Sequence, residues 1–401
     1  MKIAIIREEK EPSDSRVVFT PKQCADLITQ GVDIAVQSSE IRSYRNSEYS
    51  DLGVPVVDDV SDRDLMIGVK EVPIDSLIPN KHYFFFSHTI KEQAYNRDLL
   101  RAVLEKNIRL TDYEVITAAS GQRLIAFGKF AGMVGAHNGL WTYGKRTKTI
   151  DLPRLHTLQG YDEAVKIYKQ TDFPAVRIVL TGTGRVSGGA AQVLDDMGIQ
   201  KLSPFDFIKG VGDGPVYTQL SPFQYAKRKD GRVVDNVQDF YNNPKDYESD
   251  FHHFTESSDI FINGIYWDND APAFFTQEEM QDPSFNLSVI ADVTCDIAPV
   301  SSIPSTLKAS TIPDPIFGYD PQTGTEVAPH GDGSVDMMTI DNLPNELPRD
   351  ASKAFGEMFI EHVLPELSKA DSEIMKGATL TDGGKLTSPF EYLQGYVDGE
   401  N

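Results

Sequence analysis

The sequence predicts an α/β protein of two Rossmann-like domains, each with a parallel sheet flanked by helices, and an interdomain active-site cleft. Three observations predict it. Short apolar runs alternate with helical stretches through the first half. In the second half a glycine-rich turn, Gly182-Thr183-Gly184, sits between an apolar run and a helix-like segment. Polar residues also fall just past the ends of several predicted strands, where open α/β sheets bind ligands. At 401 residues the chain has room for two domains of about 100–200 residues, each with its own core.

In chain order, Lys2–Ile6 reads as the first strand. Thr20-Pro21-Lys22-Gln23 supplies a capping Thr, Pro at the first helical position and Gln at the third, and the helix it opens should end near Gly31. Cys24, beside Leu27 and Ile28, reads as core filler. Leu65–Val69, Tyr83–Phe86 and Ile108–Leu110 read as strands, with a helix over Gln93–Glu105. Phe127–Trp141 is a helix with small residues at four-residue spacing, which allows close backbone approach, and it marks the crossing between domains. From Val176 a second α/β unit begins: strand Val176–Thr181, helix Ser187–Met197, then strands at Asp259–Tyr266, Leu287–Val293 and Met337–Ile340. The polar, aromatic-rich stretch Phe207–Ser258 reads as an insertion, and Ser352–Leu364 as a helix of the returning tail. The expected domains are therefore 1–134 plus 342–401, for substrate and catalysis, and 135–341, for a dinucleotide, interrupted at about 207–258.

Composition excludes several roles. With 38 basic against 60 acidic residues the net charge is −22, which disfavours nucleic-acid and membrane-surface partners. The amino terminus is charged too soon for a signal peptide, and no apolar run reaches the ~18 residues of a membrane span. Two cysteines provide no disulfide framework and no zinc site, so the expectation is a cytoplasmic protein without a metal. Adjacent His252 and His253 should point apart, which suits structural roles better than metal binding.

The chemistry concentrates in two places. Gly182-Thr183-Gly184-Arg185-Val186-Ser187, after a strand and opening a helix, matches the dinucleotide fingerprint: glycines let the backbone approach a pyrophosphate at the helix amino terminus. Ser187 fills the third glycine position. The ribose-binding acid belongs about 20 residues on, where Asp206 is either that acid or a loop carboxylate, so NAD and NADP both stay open. In the first domain Lys70, His88 and Glu114 follow three strands in turn, with Arg7 and Arg16 in the loop after the first. In the second, Asp292 and Asp341-Asn342 end two strands. Lys and His are acid–base groups wherever a site brings their pKa towards the working pH.

These residues resemble a known family. Arg7-Glu8-Glu9-Lys10 with Arg16-Val17-Val18-Phe19-Thr20-Pro21 is similar to the amino-terminal motif of the alanine dehydrogenase and transhydrogenase superfamily. Gly68-Val69-Lys70-Glu71-Val72-Pro73, Phe86-Ser87-His88, Asp112-Tyr113-Glu114, Gln122-Arg123, Ala291-Asp292-Val293 and Ile340-Asp341-Asn342-Leu343-Pro344 resemble its lysine-forming saccharopine dehydrogenases more closely. The resemblance runs from residue 1 to about 365. It implies that Lys70 and His88 are the acid–base pair, that Arg16, Glu114 and Arg123 bind substrate, and that Gly182, Gly184, Arg185, Val186, Asp292, Asp341 and Asn342 lie along the cofactor. It also implies the reaction: NAD-linked oxidation of a secondary amine to an imine, then hydrolysis to lysine and 2-oxoglutarate. The sequence departs from its relatives at Pro204–Asp206 and the long stretch that follows. Two alternatives stand beside this reading. One is an alanine dehydrogenase-like or other opine-type enzyme, for which Tyr113, Glu114 and Arg123 look too well suited to a larger, doubly charged substrate; the other is a non-catalytic nucleotide-binding relative. The partner in the favoured reading is a small amino-acid substrate, and the oligomeric state stays open.

Overall fold

The computed structural model describes residues 1–369 and 371–400. They divide into two units, one of Met1–Phe127 with the chain from Pro348 onward, the other Gly128–Leu347. The sequence placed these boundaries at 134/135 and 341/342. The difference has a local cause. The Gly128–Thr147 helix packs along its length on unit 2, on the Arg185–Asp196 helix and on the 343–346 segment, so both belong with that unit.

Unit 1 opens with strands Lys2–Ile5 (β1), Asp33–Gln37 (β2), Val56–Val57 (β3), Leu65–Ile67 (β4), His82–Phe85 (β5) and Arg109–Asp112 (β6). All are parallel, in the order β6-β5-β4-β1-β2-β3. β1 and β4 are apolar on both faces, as strands covered on both sides must be. The Pro21–Thr29 helix has the expected capping box between Thr20 and Gln23. Cys24 is fully buried inside it, with burial pushing its thiol up to about 12, as core filler should be. The β2 strand was not foreseen.

Unit 2 carries strands Arg177–Thr181 (β7), Gln200–Leu202 (β8), Val216–Leu220 (β9), Ala226–Arg228 (β10), Tyr247–Ser249 (β11), Ile260–Asn263 (β12), Val289–Asp292 (β13), Ile316–Asp320 (β14), Thr325–Val327 (β15) and Val335–Met338 (β16). Its main sheet runs β15-β14-β16-β13-β12-β7-β9-β8, parallel from β16 to β8, with β14 and β15 as an antiparallel edge. The stretch 207–258 is not one insertion. β9 within it is a parallel strand paired with both β7 and β8, and the excursion begins only at Ser221. The polar Thr218 and Gln219 interrupt the apolar pattern of this strand, which is nonetheless almost wholly buried. The excursion holds the β10–β11 ribbon and contributes Tyr225, Tyr247, Phe251 and Phe254 to the core over one sheet face, with Val179, Phe261 and Ile290. His252 and His253 do not point apart: both sit at the start of a short helix with ring centroids 3.8 Å apart, because adjacent helical side chains diverge by only ~100°.

The chain then returns to unit 1. The Pro348–His362 helix is followed by strands Thr379–Asp382 (β17) and Lys385–Leu386 (β18), and β17 pairs antiparallel with β6.

Candidate active site

In unit 1 the segment after β1 passes beside the end of β4. There both carboxylate oxygens of Glu8 accept backbone amides, from Val69 at 2.7 Å and Lys70 at 2.8 Å, which fixes the start of the Lys70 loop. Burial, helped by the charge of Asp14, pushes Glu8 up to about 8 against the pull of those amides. Burial also holds the Lys70 ammonium below the ordinary lysine value, and the Arg16 charge adds to the effect, while Asp14 and Glu71 oppose it.

Glu71 joins this loop to the next strand end. Its Oε1 lies 2.5 Å from His88 Nδ1 and its Oε2 accepts from Lys10 Nζ at 2.7 Å. Burial alone would raise Glu71; hydrogen bonds and charge from His88 and Lys10 prevail and hold it at about 2. A carboxylate on Nδ1 selects the tautomer that leaves Nε2 to exchange protons. The turn presenting His88 is also held. His88 is left-handed at φ 54°, and the preceding Ser87 donates from its amide (2.9 Å) and hydroxyl (2.5 Å) to Asp112 at the end of β6. Such a φ costs of order 1 kcal/mol or more for a non-glycine residue and persists because neighbours enforce it.

Behind these groups stands an aromatic wall. Phe86 lies nearly parallel to the His88 ring at 6.4 Å and contacts Tyr113, Phe127 and Phe355, of which the last two stack at 4.4 Å. Tyr113 is fully buried and donates to the Gly68 carbonyl at 2.9 Å, so the expectation that it shapes a substrate pocket is corrected: it is part of the core. Glu114 meets Arg123 at 2.7 Å and Lys91 at 3.3 Å through Oε1, while its buried Oε2 has no hydrogen-bond partner among the described residues. Burial would raise Glu114, but Lys91 and Arg123 bring it below its ordinary value. Arg16 is buried, forked onto Asp14 at 3.0 and 2.6 Å and laid over Phe127 at 4.2 Å. A substrate carboxylate on Arg16 would therefore compete with Asp14.

In unit 2 the chain leaves β7 through Gly182, at φ 95°, where a Cβ would come 2.4 Å from Ser187 Oγ. That hydroxyl donates to the carbonyls of Thr181 (2.8 Å) and Gly264 (3.0 Å), tying the turn to the ends of β7 and β12. Gly184 is the N-cap of the Arg185–Asp196 helix, and both Gly184 and Gly188 face open space. The first-turn amides of such a helix have no intrahelical acceptor, so the turn fits an anion such as a pyrophosphate. Arg185 is exposed and Val186 half-buried at its mouth. The helix is pressed against the Gly128–Thr147 helix: a Cβ on Gly132 would lie 1.7 Å from the Val186 carbonyl oxygen.

Two cofactor residues named from the sequence are corrected here. Asp206 follows β8, the outermost strand, and bonds Ser203 Oγ at 2.7 Å; the strand beside β7 is β9, which ends in Leu220-Ser221, so the ribose acid position holds no acid. Asp292 is fully buried with both oxygens taken, by Asn263 (3.0 Å), Thr294 (2.6 Å) and Thr306 (2.7 Å). It braces the ends of β12 and β13 and the 294–306 segment, and both its oxygens are already engaged. Asp341 is exposed and Asn342 half-buried just beyond β16. Sequence reading gave no role to Glu8, Glu71, Lys10 or Asp112. The available signal for Glu71 was its place directly after Lys70 at a strand end.

The alanine dehydrogenase/PNT N-terminal domain family matches residues 5–134. Over 98% of its length the chain is 30% identical to the mitochondrial alpha-aminoadipic semialdehyde synthase of Mus musculus, of which it spans 47%, about half. It is 26% identical to the NAD(+), L-lysine-forming saccharopine dehydrogenase of Emericella nidulans, over 93% of this chain and 94% of that one. Among solved structures, an L-alanine dehydrogenase superposes with a TM-score of 0.67 at 15% identity over the whole of both chains. A transhydrogenase from Sinorhizobium meliloti follows at 0.61 and 14%, over 96% of this chain and 100% of that one; at such identities the likeness is one of fold. Residues 5–134 thus match the alanine dehydrogenase/PNT N-terminal domain family, and over most of its length the chain is similar to saccharopine dehydrogenases. Among the described residues no helix is long and apolar enough to cross a membrane.

Proposed function

We propose that the protein is a nicotinamide-dinucleotide-linked oxidoreductase that interconverts saccharopine with lysine and 2-oxoglutarate. The observation that carries this reading is the Lys70–Glu71–His88 arrangement: a lysine made less basic by burial, followed in the chain by the carboxylate that holds a histidine with one ring nitrogen left for proton exchange. The glycine turn of unit 2 would hold the dinucleotide, which when bound accepts a hydride from the carbon bearing the secondary amine. The remaining work is proton transfer. Lys70 takes the proton from the amine nitrogen as the C=N bond forms. His88 Nε2 then takes one from the water that attacks the imine carbon. The proton held by His88 goes to nitrogen, and the new hydroxyl gives up its own proton, which also passes to nitrogen, so that C=O forms as the C–N bond breaks and lysine and the 2-oxo acid are released. The His88 ring lies alongside Phe86, which packs on Phe127 and Phe355, and these rings would limit water there. Glu114, with its unmatched Oε2, and Arg123 would bind the charged ends of the substrate.

The end of β9, Ser221-Pro222-Phe223, offers no carboxylate to a 2′-hydroxyl, which supports use of NADP(H) at least as well as NAD(H). Two free cysteines support a reducing compartment, the cytoplasm in our reading; cell fractionation is the check. The test is direct. Purified protein is given NADH or NADPH with lysine and 2-oxoglutarate, or with pyruvate and ammonia. Oxidation only with the first pair supports the proposal. Oxidation only with the second makes it an alanine dehydrogenase-like enzyme, and no cofactor binding at all ends the catalytic reading.

A further inference from the structure

Glu346 is a fully buried carboxylate of unit 2 that the proposed reaction does not use. It closes the short turn Leu343–Glu346, which begins directly after Asp341-Asn342 at the exit of β16. Donors from three residues meet it. Asn138 Nδ2 (2.7 Å) and Arg154 Nη2 (2.6 Å) donate to Oε1, while Arg154 Nε and His156 Nδ1, each at 3.2 Å, meet Oε2. Burial would raise this carboxyl, but the hydrogen bonds from His156 and Arg154 and the arginine's charge hold it below its ordinary value. Arg154 is itself laid over the Trp141 ring at 4.8 Å. A guanidinium fork on both oxygens and a separate amide on one of them fix the carboxylate in position and in plane.

What this carboxylate holds is the strand exit. The Asn342 carbonyl accepts from the Asn345 amide at 3.0 Å, so Asn342 and Glu346 belong to one hydrogen-bonded turn. Asn138 and Trp141 lie on the Gly128–Thr147 helix, which runs close against the sheet: a Cβ on Gly139 would come 3.3 Å from Ala291 of β13, and one on Gly135 3.9 Å from the Leu343 side chain. The same helix packs on the Arg185–Asp196 helix that the glycine turn opens. One helix therefore supports both features, the glycine turn through its packing and the β16 exit through the Asn138–Glu346 bond. β7, β12, β13 and β16 are successive parallel strands, so the turn and the exit open on one edge of the sheet. A dinucleotide with its pyrophosphate on the turn after β7 sends its adenosine half to the β9 side and its nicotinamide half over β12, β13 and β16. We propose that Glu346, anchored by Asn138, Arg154 and His156, is a positioning residue that holds the Asp341-Asn342 segment in place for the nicotinamide half. The proposal rests on the dinucleotide reading above and adds to it the residue that sets this part of the site. Glu346 acts through the turn and touches no ligand itself.

Competition kinetics separate this role from general support of the fold. In Glu346→Leu, which fills a similar volume without an acceptor, the KM for the reduced dinucleotide should rise roughly 2- to 30-fold, the range for residues that act on a site without touching it. Turnover should fall by up to roughly 10²-fold, as a misplacement of about 1 Å can cost. Nicotinamide mononucleotide should inhibit more weakly than in the unaltered protein, whereas 5′-AMP, which occupies only the other half, should inhibit equally well. Glu346→Gln keeps one acceptor oxygen for Asn138 and Arg154 and should restore most of the loss. His156→Leu, at a side chain 38% exposed, should show the same pattern in smaller measure, and it decides the matter if Glu346→Leu does not fold. Equal weakening of 5′-AMP and nicotinamide mononucleotide would show that Glu346 only supports the fold. Unchanged KM, turnover and inhibition in all the variants would show that the strand exit holds itself. Either result overturns this inference and leaves the functional proposal standing. If calorimetry finds no dinucleotide binding in the unaltered protein, the functional proposal falls first and this inference with it.

Discussion

Replacing Gly132 by Ala adds one methyl where the helix that follows the Gly182–Gly184 turn has no room for it. The added carbon would stand 1.7 Å from the Val186 carbonyl oxygen and 3.0 Å from the Ala190 amide nitrogen. Reaching even a tight 3.0 Å from that oxygen requires a shift of 3.0 − 1.7 = 1.3 Å. Both partners are backbone, so whole helices must part. Overpacking of this kind costs about 1–3 kcal/mol, offset by up to ~1 kcal/mol of better helix propensity, so we expect a net loss of about 1–2 kcal/mol. Gly188→Ala is the control. It sits on the neighbouring Arg185–Asp196 helix with nothing within 4 Å of the new carbon, and should gain about 0.5–1 kcal/mol. Chemical denaturation reads both, and calorimetry with the dinucleotide reads the displaced turn, expected to bind more weakly in Gly132→Ala alone. Equal stability in the two variants, with equal affinity, would refute the packing argument.

The other predictions concern chemistry. Lys70→Met and His88→Gln should each lower turnover roughly 10²–10⁴-fold with thermal unfolding little changed; wild-type rates in both would remove the pair from the mechanism. Glu71→Gln tests the linkage. An acid whose folded pKa is depressed stabilises the fold above its unfolded pKa and loses that contribution as pH falls. Wild type should therefore lose up to about 3.5 kcal/mol (2.5 units at ~1.4 kcal/mol each) as pH falls from above 4.5 to below 2, and the variant should lack this acid limb in urea titrations. Steady-state kinetics should give a KM for NADPH no higher than that for NADH; a strong preference for NADH would mean that a donor or acceptor other than a β9 carboxylate recognises the ribose.

Much of this was legible in the sequence because its signals are local. Gly182-Thr183-Gly184 between an apolar run and a helix needs only its neighbours to be read, and Lys70 and His88 follow strands that are apolar throughout. What was hidden depends on order in the sheet. Asp206 lies at a suitable distance along the chain, but β9 slips between its strand and β7, and no periodicity announces that. β9 itself reads as a polar stretch because Thr218 and Gln219 find partners inside: Thr218 Oγ1 donates to the Leu202 carbonyl and Gln219 to the Gly182 carbonyl. Asp292 looked like a ligand for the same reason a buried brace always does, being a carboxylate at a strand end. Only the donors from the three residues around it, Asn263, Thr294 and Thr306, separate the two roles. Glu8 and Glu71 went unassigned since their partners are 61 and 17 residues away.

The pairing of β17 with β6 carries a consequence for biosynthesis. Residues 379–382 are made long after residues 109–112, with all of unit 2 emerging between them. Until then β6, the strand that leads into Glu114, presents a bare flank to any passing extended chain. The early half of unit 1 thus waits unfinished on the ribosome while a complete unit forms behind it, and nascent chains stalled before residue 379 should be the ones that chaperones hold or that aggregate.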